Sequence, residues 1–162
     1  MYDLSKRSVD SIQNVVQVYG NTLFRLCYVM LGNREDAEDA VQETIIKYMQ
    51  KAPDFASPEH EKAWLLATAK NQCRDMLRFR LRHPQIHIED LKESPWDPSD
   101  SGILEALMSL PEKFRLVLTL YYVEEYAIAE IAGIIQKTPS AVKMRLQKGR
   151  RLLEAKYRKE YL

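Results

Sequence analysis

Apolar residues recur three and four positions apart along most of this chain, and the pattern is interrupted at one conspicuous place. Such spacing puts apolar side chains on one side of an α-helix. Glycine is scarce, at 5 of 162 residues, and runs of β-branched residues are short. The sequence therefore predicts an all-α protein.

The interruption lies between Pro84 and Gly102, where prolines and several Ser and Asp residues leave no sustained period. This composition is typical of a flexible linker. We therefore expect two small helical domains, residues 1–83 and 103–162, joined by a linker over residues 84–102. Domains of this size have little stability alone and often gain it by docking on a larger partner.

Turn signals divide the first domain further. Gly32 and Asn33 follow the apolar stretch from Tyr19 to Leu31, and prolines stand at positions 53 and 58. These signals predict at least three helices in this domain.

Charge is distributed unevenly, although the formal net charge is only +1. The helix expected to begin near Asn33 is acidic, whereas residues 70–82 carry five basic residues and one acidic residue. Residues 143–162 carry eight basic and two acidic residues. These two basic segments are therefore where nucleic-acid contacts are expected.

The compartment follows from hydropathy and cysteine usage. No apolar run approaches the roughly 20 residues needed to cross a bilayer, and the N-terminus lacks the apolar stretch of a secretion signal. We therefore expect a cytoplasmic protein without membrane insertion. Cys27 and Cys73 fall in helical segments with no second cysteine nearby, which predicts buried, reduced thiols.

The sharpest local pattern lies in the second domain. Pro111 and the acidic residue after it mark a helix start, and an apolar helix is expected to follow to Tyr122. A short helix then ends near Ile135, and another opens at Thr138 and Pro139, a capping residue followed by proline. This arrangement predicts a helix-turn-helix motif.

The last helix of this motif has two different sides. Val142, Leu146, Gly149 and Leu153 share one side, where they can pack on the preceding helix at Ile131 and Ile134. Groups that suit base edges and phosphates share the opposite side: Ser140, Lys143, Met144, Gln147, Lys148 and Arg151. A solvated basic helix end is the alternative, but the capped turn and the short preceding helix favour a DNA-reading face.

The second domain resembles a known family at this point. LPEKFRLVLTLYY followed by AEIAGIIQKTPSAVKMRLQKGRRLL is similar to the fourth region of extracytoplasmic-function (group 4) sigma factors of the sigma-70 family, which implies reading of the minus-35 promoter element. Two positions depart from the family. Gln136 stands where glycine is common, so a non-glycine residue must accept the backbone of the turn. Met144 replaces a frequent serine, so promoter preference cannot be copied from relatives.

The first domain resembles the second sigma region independently, through YGNTLFRLCYVMLGNREDAEDAVQETIIKYMQ. The resemblance implies that the helix carrying Asp39, Gln42 and Glu43 docks on the clamp coiled coil of the polymerase β′ subunit. Ile46 shares their face, and an isoleucine among acidic and amide groups suits a mixed partner surface. Spacing alone fits a solvated acidic face equally well, and the resemblance favours the interface.

A third segment, KAWLLATAKNQCRDMLRFRLR, resembles the part of the second region that engages and melts the minus-10 element. The resemblance implies that Asn71 borders a pocket for a flipped base, whose edge an amide can read. Arg74, Arg78 and Arg80 are expected to hold the strand backbone, with stacking available from Phe79. Trp64 is expected in the core. Basic residues at a helix end are also often merely solvated.

The resemblance covers nearly the whole chain in the family's order. It implies a sigma factor that is not itself an enzyme and uses no cofactor, with core RNA polymerase (β′ clamp and β flap), promoter DNA and an anti-sigma protein as partners. A helix-turn-helix repressor is the alternative. It would carry the basic helix but would not explain the Asp39 helix or the Asn71 segment, and we find no heptad seam for a dimer.

An enzyme would have to use the acidic residues of the helix that begins near Asn33 as metal ligands. Helical di-metal sites need Glu-x-x-His pairs on facing helices, and the sequence offers none. His83 and His87 have no further candidate ligand beside them, so no metal is expected.

Overall fold

The all-α prediction is confirmed. The computed structural model describes residues 8–82 and 101–161, which contain seven α-helices, one π-helical turn and no β-strand. The first unit comprises α1 (Val9–Leu31), α2 (Arg34–Lys51) and α3 (Pro58–Arg82). The second comprises α4 (Ser101–Met108), α5 (Glu112–Leu118), the π-helical turn (Thr119–Val123), α6 (Ile128–Ile135) and α7 (Pro139–Tyr161). Most of the expected linker, together with His83 and His87, lies outside the described residues.

The three helices expected in the first unit are present, and their junctions use the predicted residues. Gly32 ends α1 with a φ of 83°, and its N–H donates to the Tyr28 carbonyl at 2.8 Å. Asn33 starts α2, because its Oδ1 accepts from the Asp36 N–H at 2.8 Å. A left-handed glycine followed at once by a capping asparagine reverses the chain in two residues.

The long helix expected from Pro111 to Tyr122 differs in detail. Pro111 is the N-cap of α5, one residue before the first helical position. After Leu118 the chain widens into the π-helical turn, and the Glu124 N–H donates five residues back to the Thr119 carbonyl at 3.0 Å. Hydrophobic periodicity cannot distinguish a π-helical turn of five residues from a continued α-helix, because the stretch is little longer than one turn.

The helix-turn-helix prediction is confirmed. The Glu130 side chain accepts from the Ala127 N–H at 3.1 Å at the start of α6, and Thr138 Oγ1 accepts from the Ala141 N–H at 3.1 Å at the start of α7. Gln136, between the two helices, is left-handed with φ 58° and ψ 46°. The turn therefore imposes on Gln136 the backbone that glycine adopts most easily.

The two units are packed together. Buried apolar side chains form one continuous cluster through both of them. Helix α1 packs on α5 as well as on α2 and α3, and α6 packs on α3. None of the described helices has the length and apolar character needed to span a membrane.

The two cysteines are both buried and unpaired in disulfides, as expected. The sequence did not indicate that they are neighbours. A hydrogen bond with Cys27, together with burial, raises the pKa of the Cys73 thiol, so the two thiols meet where α1 packs on α3. Residues 46 positions apart become adjacent only through tertiary packing.

We expect Gln136→Gly to raise the free energy of unfolding by about 0.5–1 kcal/mol. A left-handed conformation costs a non-glycine residue about 1–2 kcal/mol, and the greater freedom of glycine in the unfolded chain offsets part of that gain. Urea denaturation of the two proteins measures the difference. Gln136→Ala retains the Cβ atom and should give no gain, so equal stability of the Gly and Ala variants would contradict this explanation.

Candidate functional site

The exposed face of α7 contains all six residues predicted to read DNA. Thr138 fixes the start of the helix, and Val142, Leu146 and Gly149 are buried on its inner side. Gly149 was expected to pack on α6, but the structure places it against α5. A Cβ atom at this position would lie 3.2 Å from Leu118 Cδ1. The outer side is exposed along its length: Ser140, Lys143, Met144, Gln147, Lys148 and Arg151.

Two features modify this face. The Met144 side chain is 70% exposed, so an apolar group stands among the polar ones. Lys148 Nζ lies 5.7 Å from the centre of the Phe114 ring on α5, which holds this cation toward one edge of the helix.

The predicted interface face of α2 is also exposed. Asp39, Gln42 and Glu43 are exposed, and Ile46 retains 41% of its surface. The opposite face is inside the first unit, where it contributes four buried residues to the core: Ala37, Ala40, Thr44 and Tyr48. An isoleucine that stays exposed beside three polar groups, while its own helix has a complete buried face, suits contact with another molecule.

Helix α3 separates the predicted minus-10 residues into two groups. Asn71 and Arg78 are exposed and Arg74 is half-buried. At about 100° per residue, these three fall within roughly 60° of one another. Phe79, beside them, is 59% exposed. An amide and two cations therefore share one part of the helix surface, and an aromatic ring lies beside that part, about 80° from Asn71.

Arg80 lies on the opposite side of α3 from Asn71. Its guanidinium donates to the Leu31 carbonyl at 2.8 Å and forms an ion pair with Asp36. Asp36 lies in the first turn of α2, so Arg80 connects the end of α3 to the junction of α1 and α2. Nine residues correspond to half a turn of phase, and this arithmetic on the sequence would have separated Arg80 from Asn71.

Lys70, next to Asn71, was counted in the sequence only as one basic residue among five. The structure buries its side chain completely, and its Nζ has no hydrogen-bond partner. Burial, with the charges of Arg74 and Lys137, lowers the pKa of this ammonium. No local pattern predicts this, because the burial depends on tertiary packing.

Trp64 is in the aromatic core as expected. Its ring lies 6.2 Å from that of Tyr48 and 6.0 Å from that of Phe55, both edge-on. The indole therefore packs between α2 and α3.

An apolar groove on the second unit was not predicted. It has a volume of about 470 Å³ and lies between α4, the π-helical turn and α7. Arg150 stands at its edge and donates to the Tyr122 hydroxyl at 3.0 Å. Most of the lining is apolar or aromatic: Ile103, Leu107, Leu118, Tyr122, Leu153 and Tyr157. Among the described residues no group of three or more side chains suited to a metal ion occurs.

We expect Arg80→Met to lower the free energy of unfolding by about 1–3 kcal/mol, because it leaves Asp36 and the Leu31 carbonyl without their charged donor. Arg78→Met is the matched control. Arg78 is exposed and only 3.8 Å from Asp75 on its own helix, so its loss should change stability by less than about 0.5 kcal/mol. Urea denaturation gives both values, and equal stability of the two variants would contradict the structural role of Arg80.

Comparison with known proteins identifies two family regions in the chain. Residues 15–83 match sigma-70 region 2, and residues 101–153 match sigma-70 region 4. The chain is 31% identical to the RNA polymerase sigma factor SigV of Bacillus subtilis, over 86% of each protein. It is 27% identical to the ECF RNA polymerase sigma factor SigW of the same organism, over 96% of this chain and 93% of SigW.

The fold also matches a solved structure. The sigma factor RpoE, in complex with the anti-sigma factor NepR from Bartonella quintana, superposes with a TM-score of 0.74 at 22% sequence identity. The match covers 94% of this chain and 99% of that one. At this identity the likeness establishes the fold of the two units.

Proposed function

The chain belongs to the extracytoplasmic-function branch of the sigma-70 family of RNA polymerase sigma factors, and from this membership we propose which of its surfaces contacts which component of transcription initiation. We also propose that the chain belongs to group 4 of the sigma-70 family. The observation that carries it is that both matched regions present their candidate residues on exposed helix faces. Each face has chemistry suited to a different partner.

The outer face of α7 is assigned to the minus-35 element. Gln147 offers an amide donor and acceptor for a base edge, and Lys143, Lys148 and Arg151 offer cations for bases or phosphates. Met144 can contact a thymine methyl group. The buried side of α7 packs on α5 and α6, so the outer face is already formed before DNA arrives.

The Asn71 side of α3 is assigned to the minus-10 element. Asn71 is placed to read an unstacked base, while Arg74 and Arg78 neutralise the strand backbone and Phe79 supplies a stacking surface. Arg80 is left out of this surface, because its guanidinium already binds Asp36 and the Leu31 carbonyl.

Two further surfaces are assigned to core polymerase. The α2 face of Asp39, Gln42, Glu43 and Ile46 suits the β′ clamp, because carboxylates steer a basic partner and Ile46 provides apolar contact. The apolar groove of the second unit suits the β flap, which would fill it with apolar side chains. Both surfaces are open in the structure.

An anti-sigma protein is a further proposed partner. The similar RpoE structure contains the anti-sigma factor NepR. We propose that this chain acts in the cytoplasm as a polymerase subunit with no catalytic activity of its own. A repressor that does not bind polymerase is disfavoured, because it has no use for the region 2 match or for the α2 face.

We expect the double change Asp39→Ala and Glu43→Ala to weaken binding to core polymerase about tenfold, because it removes two carboxylates from the interface. Helicity should stay unchanged, since both side chains are exposed. Titration of labelled protein with purified core enzyme measures the affinity. Glu38→Ala is the control for loss of a carboxylate on α2, because Glu38 lies at the edge of this face, about 90° from its centre, and pairs with Arg34.

Run-off transcription with the same core enzyme tests the function as a whole. The chain should direct initiation from a defined start site, and core enzyme alone should not. Unchanged core affinity of the Asp39 and Glu43 variant would contradict the α2 assignment. If the wild-type chain did not direct transcription from the promoter, the proposed function itself would be wrong.

Three substitutions should separate reading from holding of DNA. Gln147→Ala should alter the preferred minus-35 sequence by about 1–3 kcal/mol at one contacted base pair. Asn71→Ala should retain initial binding but lose discrimination at one minus-10 base and form open complexes less well. Arg78→Ala should weaken binding without changing preference and lower the salt slope by roughly one unit per lost phosphate contact.

A promoter library selected with each variant distinguishes these outcomes. Arg78→Ala serves as the control, because it removes a DNA-facing cation without removing a base-reading group. If Gln147→Ala and Asn71→Ala both left the selected sequences unchanged, the assignment of these two residues would be wrong even though the family is correct.

A further inference from the structure

Two lysines from different helices of the second unit approach the same aromatic ring. Lys113 Nζ lies 5.1 Å from the centre of the Phe114 ring, and Lys148 Nζ lies 5.7 Å from it. Both lysines are exposed, whereas Phe114 retains only 4% of its surface. Because an aromatic ring attracts a cation over its face, one ring holds both ammonium groups on one part of the surface.

The two lysines meet because α5 and α7 approach closely beside them. Phe114 follows Lys113 on α5, and Gly149 follows Lys148 on α7. A Cβ atom at Gly149 would lie 3.5 Å from Phe114 Cβ. The glycine therefore lets the two helices come together at the point where each carries an exposed lysine.

Neither ammonium group is neutralised within the part of the chain that the structure describes. Lys113 and Lys148 form no ion pair with any described side chain. Two like charges close together repel each other, and a bound anion relieves that repulsion. The pair therefore favours an anion as its ligand.

Lys148 lies at one edge of the outer face of α7. Lys143 and Lys148 are about 140° apart around the helix. An α-helix with its side chains is about 10–12 Å wide, and the major groove of DNA is about 12 Å wide. The residues at the two edges of a helix in this groove therefore face the sugar-phosphate backbones on either side. The remaining residues of the face lie between these edges: Ser140, Met144, Gln147 and Arg151.

Helix α5 places Lys113 at the same edge as Lys148. It packs on α7, on the side where Lys148 approaches the Phe114 ring. Lys113 lies outside the helix-turn-helix motif, which consists of α6 and α7, so its place in the sequence does not connect it with DNA. The close approach of the helices makes that connection.

We propose that Lys113 and Lys148 form a phosphate-binding site, which holds the DNA backbone on the α5 side of the minus-35 groove. The inference rests on the proposed function of the α7 face and adds a residue from outside that helix. Lys113 is a positioning residue, because phosphate contacts fix the register and orientation of a protein on the duplex without carrying sequence information.

Polymerase reconstituted from core enzyme and a saturating amount of the full chain tests this site. Lys113→Met removes the charge and keeps a long side chain. We expect it to weaken promoter binding about three- to tenfold at low salt and to lower the salt slope by roughly one unit, as for one lost phosphate contact. The preferred minus-35 sequence should stay the same. Lys113→Arg should retain the affinity and the slope.

Lys51→Met is the matched control. Lys51 is an exposed lysine in the last turn of α2, so its variant has the same net charge as Lys113→Met and retains the phosphate-binding site. Its promoter affinity and salt slope should equal those of the wild type. An equal loss in the two variants would assign the effect to net charge and overturn the proposal.

Ethylation of single DNA phosphates identifies the contact itself. In the wild type, an ethyl group on one phosphate that flanks the minus-35 element should weaken binding, because it removes the negative charge. Polymerase with Lys113→Met should tolerate ethylation at that phosphate and remain sensitive at the others.

Two results would overturn the proposal while leaving the proposed function in place. One is an interference pattern that is identical in the wild type and in Lys113→Met, and the other is an unchanged salt slope. Failure of wild-type polymerase to select the promoter over unrelated DNA would instead refute the proposed function, and the phosphate-binding site with it.

Discussion

Burial of the C-terminal half of α1 is the constraint on which the rest of the structure depends. Six consecutive residues, 26–31, are each at most 2% exposed. A helix that is apolar on all sides must be covered on all sides, and α2 and α3 cover only part of it. The rest is covered by α5 and the π-helical turn, which belong to the other unit. One helix of the first unit is thus enclosed by both.

Apolar burial and polar contacts have different roles between the two units. Each large apolar side chain contributes roughly 1.5–3 kcal/mol when fully buried, whereas a hydrogen-bonded ion pair contributes about 1.5–3 kcal/mol in total. Apolar burial therefore supplies most of the attraction between the units. Arg25 and Glu124, which form an ion pair between the two units, select one orientation from those that apolar contact alone would allow.

The sequence predicted those parts of the structure that depend on nearby residues. Gly32, Asn33 and Thr138 mark helix ends by local chemistry, and the exposed faces of α2 and α7 follow from a period of 3.6 residues. The contact between Cys27 and Cys73, the burial of Lys70 and the apolar groove depend on which helices meet, and no local pattern contains that information. Arg80 is a different case, because its half-turn offset from Asn71 was present in the spacing.

The carbonyl groups at the end of α1 respond differently to packing and to separation of the two units. Its last turn contains no basic residue of its own, so the carbonyls of Met30 and Leu31 are satisfied by two arginines from elsewhere. Arg80 comes from the same unit, and Arg115 comes from the other. Separation of the units would hydrate the Met30 carbonyl and leave the Leu31 carbonyl bound. At the end of α1, one carbonyl is therefore bound by an arginine of its own unit in either arrangement, whereas the neighbouring carbonyl is bound by an arginine only when the two units are packed together.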